Sequence, residues 1–362
     1  MPQPYLKRIL EDRVLLTREE ARDLMQQVLT GRFADLELAA LLGAITARGE
    51  SPNELAGFVE AMRAAATPVP LNDEERSLLV DTCGTGGDSS GTFNISTAAA
   101  LVAAAAANAA GALHLVAKHG NRAVTSECGS ADVLEALGIP VALSPADAAA
   151  AIRAHRFAFL HAPALHPAIK AVMPVRRALG VRTVFNVLGP LTNPAGARAQ
   201  VMGVYAAHLV PIVAEAMRLL GVRHAFVVHG SAGPNATRGS AGGRGLDELS
   251  ISGPTQLAEV YGDAVSFDTL SPEQVGLRTA PIESLRGGDA ATNAAILHAI
   301  FAGEPGPRRD VVLLNAAAVL ITAGAVPTSP NLRHEAFRAA IDLAARTIDS
   351  GAVTGLVAAL SD

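Results

Sequence analysis

The sequence predicts an α/β protein: a small all-helical N-terminal unit, then a larger unit with a largely parallel central sheet. Three observations carry that expectation. Residues 1–67 offer only helical signals. From Leu78 onward, short apolar runs of strand character alternate with helical stretches. Between the first such run and an alanine-rich helix lies a glycine-rich loop, Asp81-Thr82-Cys83-Gly84-Thr85-Gly86-Gly87-Asp88. At 362 residues the chain exceeds a typical single domain, so two units are expected, 1–69 and 70–362, with Thr67-Pro68-Val69-Pro70 as the linker.

The first unit is built from capped helices. Thr17-Arg18-Glu19-Glu20 and Ser51-Pro52-Asn53-Glu54 read as capping boxes, the second with Pro at the first helical position. Leu38, Leu41, Leu42 and Ile45 lay a wide apolar stripe along one helix. So small a bundle has little of its own to bury against, and is expected to pack on the larger unit or on a second copy of itself. In the larger unit, strands are expected at Leu78–Val80, Leu115–Ala117, Phe157–Leu160, Gln200–Val204 and Ala225–Val228. Helices are expected at Ala98–Ala110, Ala131–Leu137 and His208–Leu220, and beyond Ser271 at 288–302, 307–323 and 331–349. Functional loops should gather at the carboxyl ends of the strands. Ser231 to Gly245, dense in Gly, Ser and Ala, cannot bury a core and is expected to be mobile. It reads either as a tolerated surface insertion or as a lid bringing Arg238 or Arg244 to a bound anion.

Composition narrows the classes of function. Hydrophobic residues at 50% and charged residues at 17% describe a globular chain with ample core. Aromatic residues are 4%, Trp is absent and the formal net charge is −5, a poor supply for stacking on or coating nucleic acid. The two cysteines, Cys83 and Cys128, make neither a disulfide framework nor a zinc spacing, which suits a reducing cytosol. Met1 to Leu10 has no apolar signal core, and the alanine-rich runs at 98–110 and 146–152 are too short or too mildly apolar for membrane spans. A cytoplasmic location is therefore expected.

Four stretches carry chemistry. The loop 84–97 stands where free N–H groups and the helix dipole favour an anion, with Ser96 and Thr97 as expected caps. No Lys follows it as in a Walker loop, and Ser89 stands where a dinucleotide fingerprint needs Gly. Asp88 would repel a phosphate unless a cation intervened, so Mg²⁺ is expected between them. A plain glycine-rich turn is the other reading. In the second stretch, Lys118-His119-Gly120-Asn121-Arg122-Ala123-Val124-Thr125-Ser126, Lys118 and Arg122 can neutralise phosphate, and Gly129-Ser130 opens another helix. The third holds His166 and Lys170, then Arg176, which suits a planar carboxylate as well as it suits an exposed helix surface. It continues into Phe185-Asn186-Val187-Leu188-Gly189-Pro190-Leu191-Thr192-Asn193-Pro194. The fourth, Gly245-Leu246-Asp247-Glu248, pairs two hard-cation ligands, or is an acidic surface turn. The ten histidines make no zinc spacing.

Together the Gly-Thr-Gly-Gly-Asp, Lys-His-Gly-Asn-Arg and Phe-Asn-x-Leu-Gly-Pro-Leu-Thr-Asn-Pro motifs resemble those of the anthranilate phosphoribosyltransferases. These belong to the nucleoside phosphorylase-like phosphoribosyltransferases, and the likeness runs from the first helices to Ile348-Asp349-Ser350-Gly351. The resemblance implies a helical lobe and an α/β lobe, with part of about 170–188 returning to the helical one. It also implies a homodimer joined through the helical lobes, no nucleic-acid or membrane partner, and transfer of phosphoribose from phosphoribosyl diphosphate to anthranilate. Contacts to phosphoribosyl diphosphate are implied at Gly84, Gly87, Asp88, Thr92, Asn94, Ile95, Ser96 and Thr97, along 118–126 (Lys118, His119, Gly120, Asn121, Arg122, Ala123, Val124, Thr125, Ser126), and at Ser130. Anthranilate contacts are implied at Gly84, Asn121, His166, Arg176, Gly189 and Pro190, with Arg176, Asn121 and Lys118 as the residues that carry the reaction. Magnesium, two ions per chain, is implied on Ser96, Asp247 and Glu248. Three features depart from the family pattern: Cys128 in place of Ser, the acidic Glu127, and the long segment before Gly245. A pyrimidine nucleoside phosphorylase on the same fold and a non-enzymatic nucleic-acid-binding relative are the alternatives.

Overall fold

The computed structural model describes residues 4–110, 112–123, 127–233, 245–328 and 333–361. Val124, Thr125 and Ser126, and with 234–244 most of the glycine-rich segment including Arg238 and Arg244, lie outside the described residues. The chain begins with four helices, α1 (Pro4–Leu10), α2 (Arg18–Leu29), α3 (Asp35–Arg48) and α4 (Pro52–Ala64). Both expected capping boxes form: Thr17 with Glu20 opens α2, and Ser51 with Glu54 opens α4. Glu54 is fully buried. One of its oxygens accepts from the Leu16 N–H at 3.0 Å and from Arg48 at 2.5 Å, which fixes the α3–α4 corner.

The helix α5 (Asp73–Leu78) leads into β1 (Leu79–Gly84), followed by α6 (Ile95–Ala110), β2 (Leu115–Gly120), α7 (Ser130–Ala136), α8 (Pro145–His155) and β3 (Phe157–His161). Short helices α9 (Ala162–Leu165), α10 (Met173–Leu179) and α11 (Val184–Leu191) come next. Of these, α10 and α11 pack on α3, and α11 also packs on α4. Val172, Val175, Val184, Phe185 and Leu188 share one core with Leu38, Leu41, Phe58 and Val59. Then follow β4 (Ala199–Gly203), α12 (Leu209–Leu219), β5 (His224–Ser231), β6 (Gly245–Leu246), β7 (Thr255–Tyr261) and β8 (Ala264–Leu270). The chain ends in α13 (Ala290–Phe301), α14 (Pro307–Thr322), α15 (Arg333–Asp349) and α16 (Ala352–Ser361). Because α4 lies against α12, the small bundle packs on the larger unit, one of the two expected solutions, while the stripe of α3 faces α1, α10 and α11.

The sheet runs β3-β2-β1-β4-β5-β7-β8, with β6 paired to β5. From β3 to β5 every pairing is parallel, and β7 and β8 add antiparallel strands at one edge. Strand order reverses between β1 and β4: the chain moves from β1 to β2 and β3 on one side, and from β4 to β5 on the other. Loops leaving β1 and β4 therefore part company, and the crevice between them is the natural ligand site of such a sheet. The hairpin over 255–270 is absent from the sequence expectation. Its outer strand β8 is half exposed, which blurs alternation, and the signal present is a two-residue turn with Gly262 at φ 57°.

Two strands run past their apolar runs. β1 continues through Asp81 and Thr82 and β2 through Lys118 and His119, all four buried. Hydropathy stops where these polar groups begin; Lys118 donates to Thr82 O and Asp81 accepts the His119 N–H, contacts that offset part of the cost of burial. Helix α6 begins earlier than expected, with Asn94 O accepting from the Ala98 N–H, so Ser96 and Thr97 stand inside the first turn rather than at the cap. From Ala98 to Ala107 every α6 side chain is buried, and α14, α15 and α16 close over it. Alanine at these positions lets helix backbones approach closely. Among the described residues no single helix is long and apolar enough to cross a membrane.

At the sheet edge, Arg333 ties α15 to β7 and β8. Its guanidinium donates to Glu259 Oε2 at 2.7 and 3.0 Å and to Asp268 at 2.6 Å, and both Arg333 and Glu259 are buried. Arg333→Ala leaves the Glu259 carboxylate buried with its main partner gone. Chemical denaturation should then show a loss of roughly 3–5 kcal/mol; an unchanged midpoint would contradict this role.

Candidate active site

The reversal point brings Gly84 and Gly203 side by side in register at the ends of β1 and β4. The segment after β6 crosses directly over them. A Cβ on either glycine would collide with Asp247, so only hydrogen there admits the acidic segment. β6 supplies the direction: pairing of Gly230 with Leu246 turns the chain back across the sheet end. Asp247 Oδ2 accepts the Gly86 N–H at 2.6 Å, the Asp247 N–H reaches Asp88 Oδ2 at 3.3 Å, and Glu248 Oε1 accepts the Ser96 N–H at 3.1 Å. The first and fourth sequence stretches thus form one acidic floor.

That floor is electrostatically loaded. Burial, then the neighbouring charges of Asp88 and Glu248, raise the Asp247 carboxyl well above the carboxylate range. Burial raises Glu248 to about 7, against the lowering influence of Lys118 and the Ser96 hydrogen bonds. Lys118 is itself buried; its ammonium donates to Thr82 O at 2.7 Å and to Ser96 Oγ at 3.2 Å. Beneath it lies Asp81, fully buried, which accepts the His119 N–H at 3.1 Å and a hydrogen bond from Asn193. Burial raises Asp81 to about 6 despite these partners and Lys118.

Other expected residues divide by what holds them. Asn94 donates to Cys128 O at 3.2 Å and accepts from Asn293 at 2.9 Å, bridging the first loop to the α7 loop and to α13. Thr92 lies beside Ser90, with 3.3 Å between their hydroxyls. Ile95 and Thr97 are buried side chains, so at the loop they offer backbone only. Gly120 packs against Phe159, and the Ala123 N–H is taken by Asp132 at 2.9 Å. Arg122, expected at phosphate, turns its guanidinium to Glu135 at 2.6 Å and Asp132 at 3.0 Å: two carboxylates on α7 outcompete an open loop. Ser130 is the first residue of α7, and Glu127 is exposed.

A second wall lies toward α10 and α11. Arg176 stands over the Phe185 ring at 5.3 Å, half-buried, and meets no carboxylate among the described residues. His166 and His119 lie with ring centroids 5.1 Å apart. Burial lowers His166 to about 4, and burial with His166 nearby lowers His119 to about 3, so both are neutral near pH 7. Gly189 O accepts from Thr192, and Pro190 O accepts from Gln200 at 2.7 Å. Asn121 sits exposed at the head of its loop.

Sequence reasoning missed Asp81, Asn193, Gln200, Arg182 and Tyr205. Asn193 lies inside a recognised motif and donates to Ala117 O at 2.8 Å, a bracing function that motif spelling does not reveal. Arg182 and Tyr205 stack on each other, and neither was expected to touch a ligand.

The donor set fits magnesium. Hard carboxylate oxygens meet at the reversal point, while no three His, Cys, Asp or Glu side chains among the described residues close into a cage. That incompleteness suits an ion that keeps water and shares substrate phosphates.

Comparisons agree with this geometry. Residues 76–354 match the α/β domain of a glycosyl transferase family, and residues 3–66 match that family's helical bundle domain. An anthranilate phosphoribosyltransferase from Solibacter usitatus is 48% identical over 359 residues, covering 99% of this chain and 97% of that protein. The crystal structure of anthranilate phosphoribosyltransferase from Thermus thermophilus is 40% identical with a TM-score of 0.86, covering 99% and 98% of the two chains. The Saccharomyces cerevisiae enzyme, in complex with PRPP and Mg, is 25% identical with a TM-score of 0.81, covering 98% and 95%.

The raised carboxyls set a pH dependence. Folded Glu248 keeps its proton to about pH 7, whereas its ordinary value is 4.5, and Asp247 is shifted in the same direction. Unfolding in that window releases protons, so metal-free stability falls as pH rises from about 4.5 through 7. A bound cation takes the place of those protons. Added Mg²⁺ should raise the thermal midpoint clearly at about pH 8 and little at about pH 5.5; equal shifts at both would contradict the assignment.

Proposed function

The chain belongs to the anthranilate phosphoribosyltransferases of this glycosyl transferase family, and on that premise we propose which of its residues do the work. The enzyme transfers the phosphoribosyl group of 5-phosphoribosyl 1-diphosphate to the amine of anthranilate, giving N-(5-phosphoribosyl)anthranilate and diphosphate, with magnesium as its cofactor. The reaction belongs to tryptophan biosynthesis. Neither pyrimidine phosphorolysis nor nucleic-acid binding is favoured by any observation.

The reading of the site rests above all on one observation: buried Lys118 and half-buried Glu248 meet at the N-terminal turn of α6, with buried Asp247 beside them on the Gly86 N–H. Ser96, Asp247 and Glu248 hold magnesium, two ions per chain, with Asp88 beside them. Bound there, magnesium supplies positive charge against the departing diphosphate. Lys118, fixed by Thr82 O and Ser96, adds its own positive charge to the same diphosphate. The loop N–H groups from Gly84 to Asp88, with Thr92 and Asn94, and those of the Lys118–Ser130 loop, orient the phosphates and ribose. Arg176 grips the anthranilate carboxylate, Asn121 aligns the ring amine, and neutral His166 with Gly189 and Pro190 bounds the pocket. As the C1–O bond breaks, its electron pair leaves with diphosphate, positive charge grows on the ribose, and the amine nitrogen attacks C1. That nitrogen is neutral at pH 7, and once bonded to C1 it carries a positive charge and sheds an acidic proton to water, so no strong base is needed.

The helical unit comprises residues 1–69 joined by part of about 170–188, and the α/β unit comprises 70–362. Leu10, Leu15, Leu36 and Val181 stand exposed on or beside α1, α3 and α10, which supports a homodimer joined through the helical units. We take the enzyme to be cytoplasmic, which two cysteines outside any disulfide framework support.

Anthranilate fluorescence should disappear during turnover only when phosphoribosyl diphosphate and Mg²⁺ are both present. Arg176→Ala removes the bidentate partner of a carboxylate, a loss of roughly 1.5–3 kcal/mol. The anthranilate KM should rise about tenfold or more; unchanged KM and kcat would remove Arg176 from this role.

A further inference from the structure

We propose that Arg182 is a positioning residue that sets the glycine-rich loop for phosphoribosyl diphosphate, reaching it from the helical side of the crevice. The proposal rests on the reading of that loop as the diphosphate cradle. Arg182 lies in the short connection between α10 and α11, which pack on the helical unit. Its Nη1 donates to Gly87 O at 2.8 Å, and its guanidinium carbon lies 4.2 Å from the centroid of the Tyr205 ring. Tyr205 leaves the carboxyl end of β4, and its own N–H donates to Thr85 Oγ1 at 3.0 Å. The Thr85 N–H in turn donates to Gly203 O at 3.0 Å. The loop is therefore pinned at Thr85 by β4 and at Gly87 by Arg182.

Peptide geometry makes the second pin consequential. Gly86 and Gly87 both take left-handed conformations, φ 70° and 74°, which glycine adopts without strain but which leave the loop many alternatives. Holding Gly87 O fixes the plane of the 87–88 peptide. Because that peptide is trans, the Asp88 N–H must point away from Arg182, as an oriented donor on the loop's other side. Arg182 also packs directly on this stretch: a Cβ at Gly87 would lie in ordinary van der Waals contact with Arg182 Cδ, at 3.7 Å. Stacking on Tyr205 removes the freedom that a long guanidinium would otherwise keep. Since α10 and α11 pack on α3 and α4, the same contact ties the helical unit to the cradle.

The test is a comparison of wild type with Arg182→Gln, Arg182→Lys, Tyr205→Phe and Tyr205→Ala. Arg182→Gln should raise the KM for phosphoribosyl diphosphate about tenfold, the size of one lost hydrogen bond to a charged donor. The anthranilate KM and the ligand-free thermal midpoint should stay near wild type. Calorimetry with magnesium diphosphate should show the same loss in affinity without turnover. Arg182→Lys should recover part of it, Tyr205→Phe should behave as wild type, and Tyr205→Ala should follow Arg182→Gln in the same direction. Wild-type diphosphate affinity in Arg182→Gln, or equal rises in both KM values, would overturn the proposal. If Arg182→Gln does not fold, Tyr205→Ala decides by the same criterion. A wild-type protein that binds no magnesium diphosphate would instead overturn the reading of the cradle.

Discussion

The structure depends on an acidic pair, buried Asp247 and half-buried Glu248, held over the sheet at the point where its strand order reverses. Asp247 and Glu248 accept hydrogen bonds from N–H groups of the very loop and helix start that would otherwise face phosphate. Burial raises both carboxyls, with the charge of Asp88 adding to it, and the hydrogen bonds from Gly86 and Ser96 only partly offset that rise. On the proposed reading, a divalent ion between them would make acid and phosphate ligands of one centre.

Everything around this point serves to let chain segments approach it. Gly84 and Gly203 admit Asp247 over the strand ends, and the β5–β6 pairing supplies its direction. Alanines of α6 let that helix sit against the sheet with its N-terminal turn at the crevice. Lys118 balances part of the acidic charge from below, and Asp81 with Asn193 braces the strand that carries it. The helical unit closes the other side, where Arg176 lies over Phe185 without an acidic partner among the described residues.

Much of this was legible in residue order, and what was not shares a physical cause. Capping boxes at Thr17 and Ser51 could be read because they are local hydrogen-bond codes. The parallel core of the sheet could be read because its strands are apolar runs between helices. The glycine loop, the Lys118 loop and the Asp247-Glu248 pair stood out because glycine, hydroxyl and charge coincide there, and the family resemblance named their expected ligands. Asp81 stayed hidden because a buried acid looks like the end of a strand until its partners are known. The pairing of Arg122 with Asp132 and Glu135 was not legible because these partners lie on the following helix, where local sequence does not announce an ion pair. Arg182 and Tyr205 meet only in three dimensions, 4.2 Å apart across more than twenty residues of chain. The β7–β8 hairpin escaped because an exposed edge strand carries little apolar periodicity.

The central claim is that the acidic pair is a metal anchor and not a surface turn. Its most direct test is the Mg²⁺ dependence of the initial rate for Asp247→Asn combined with Glu248→Gln, the amides keeping size while removing charge. The account predicts a folded protein with a lower rate and a half-saturating Mg²⁺ concentration shifted upward. A double variant with the wild-type Mg²⁺ profile would contradict it.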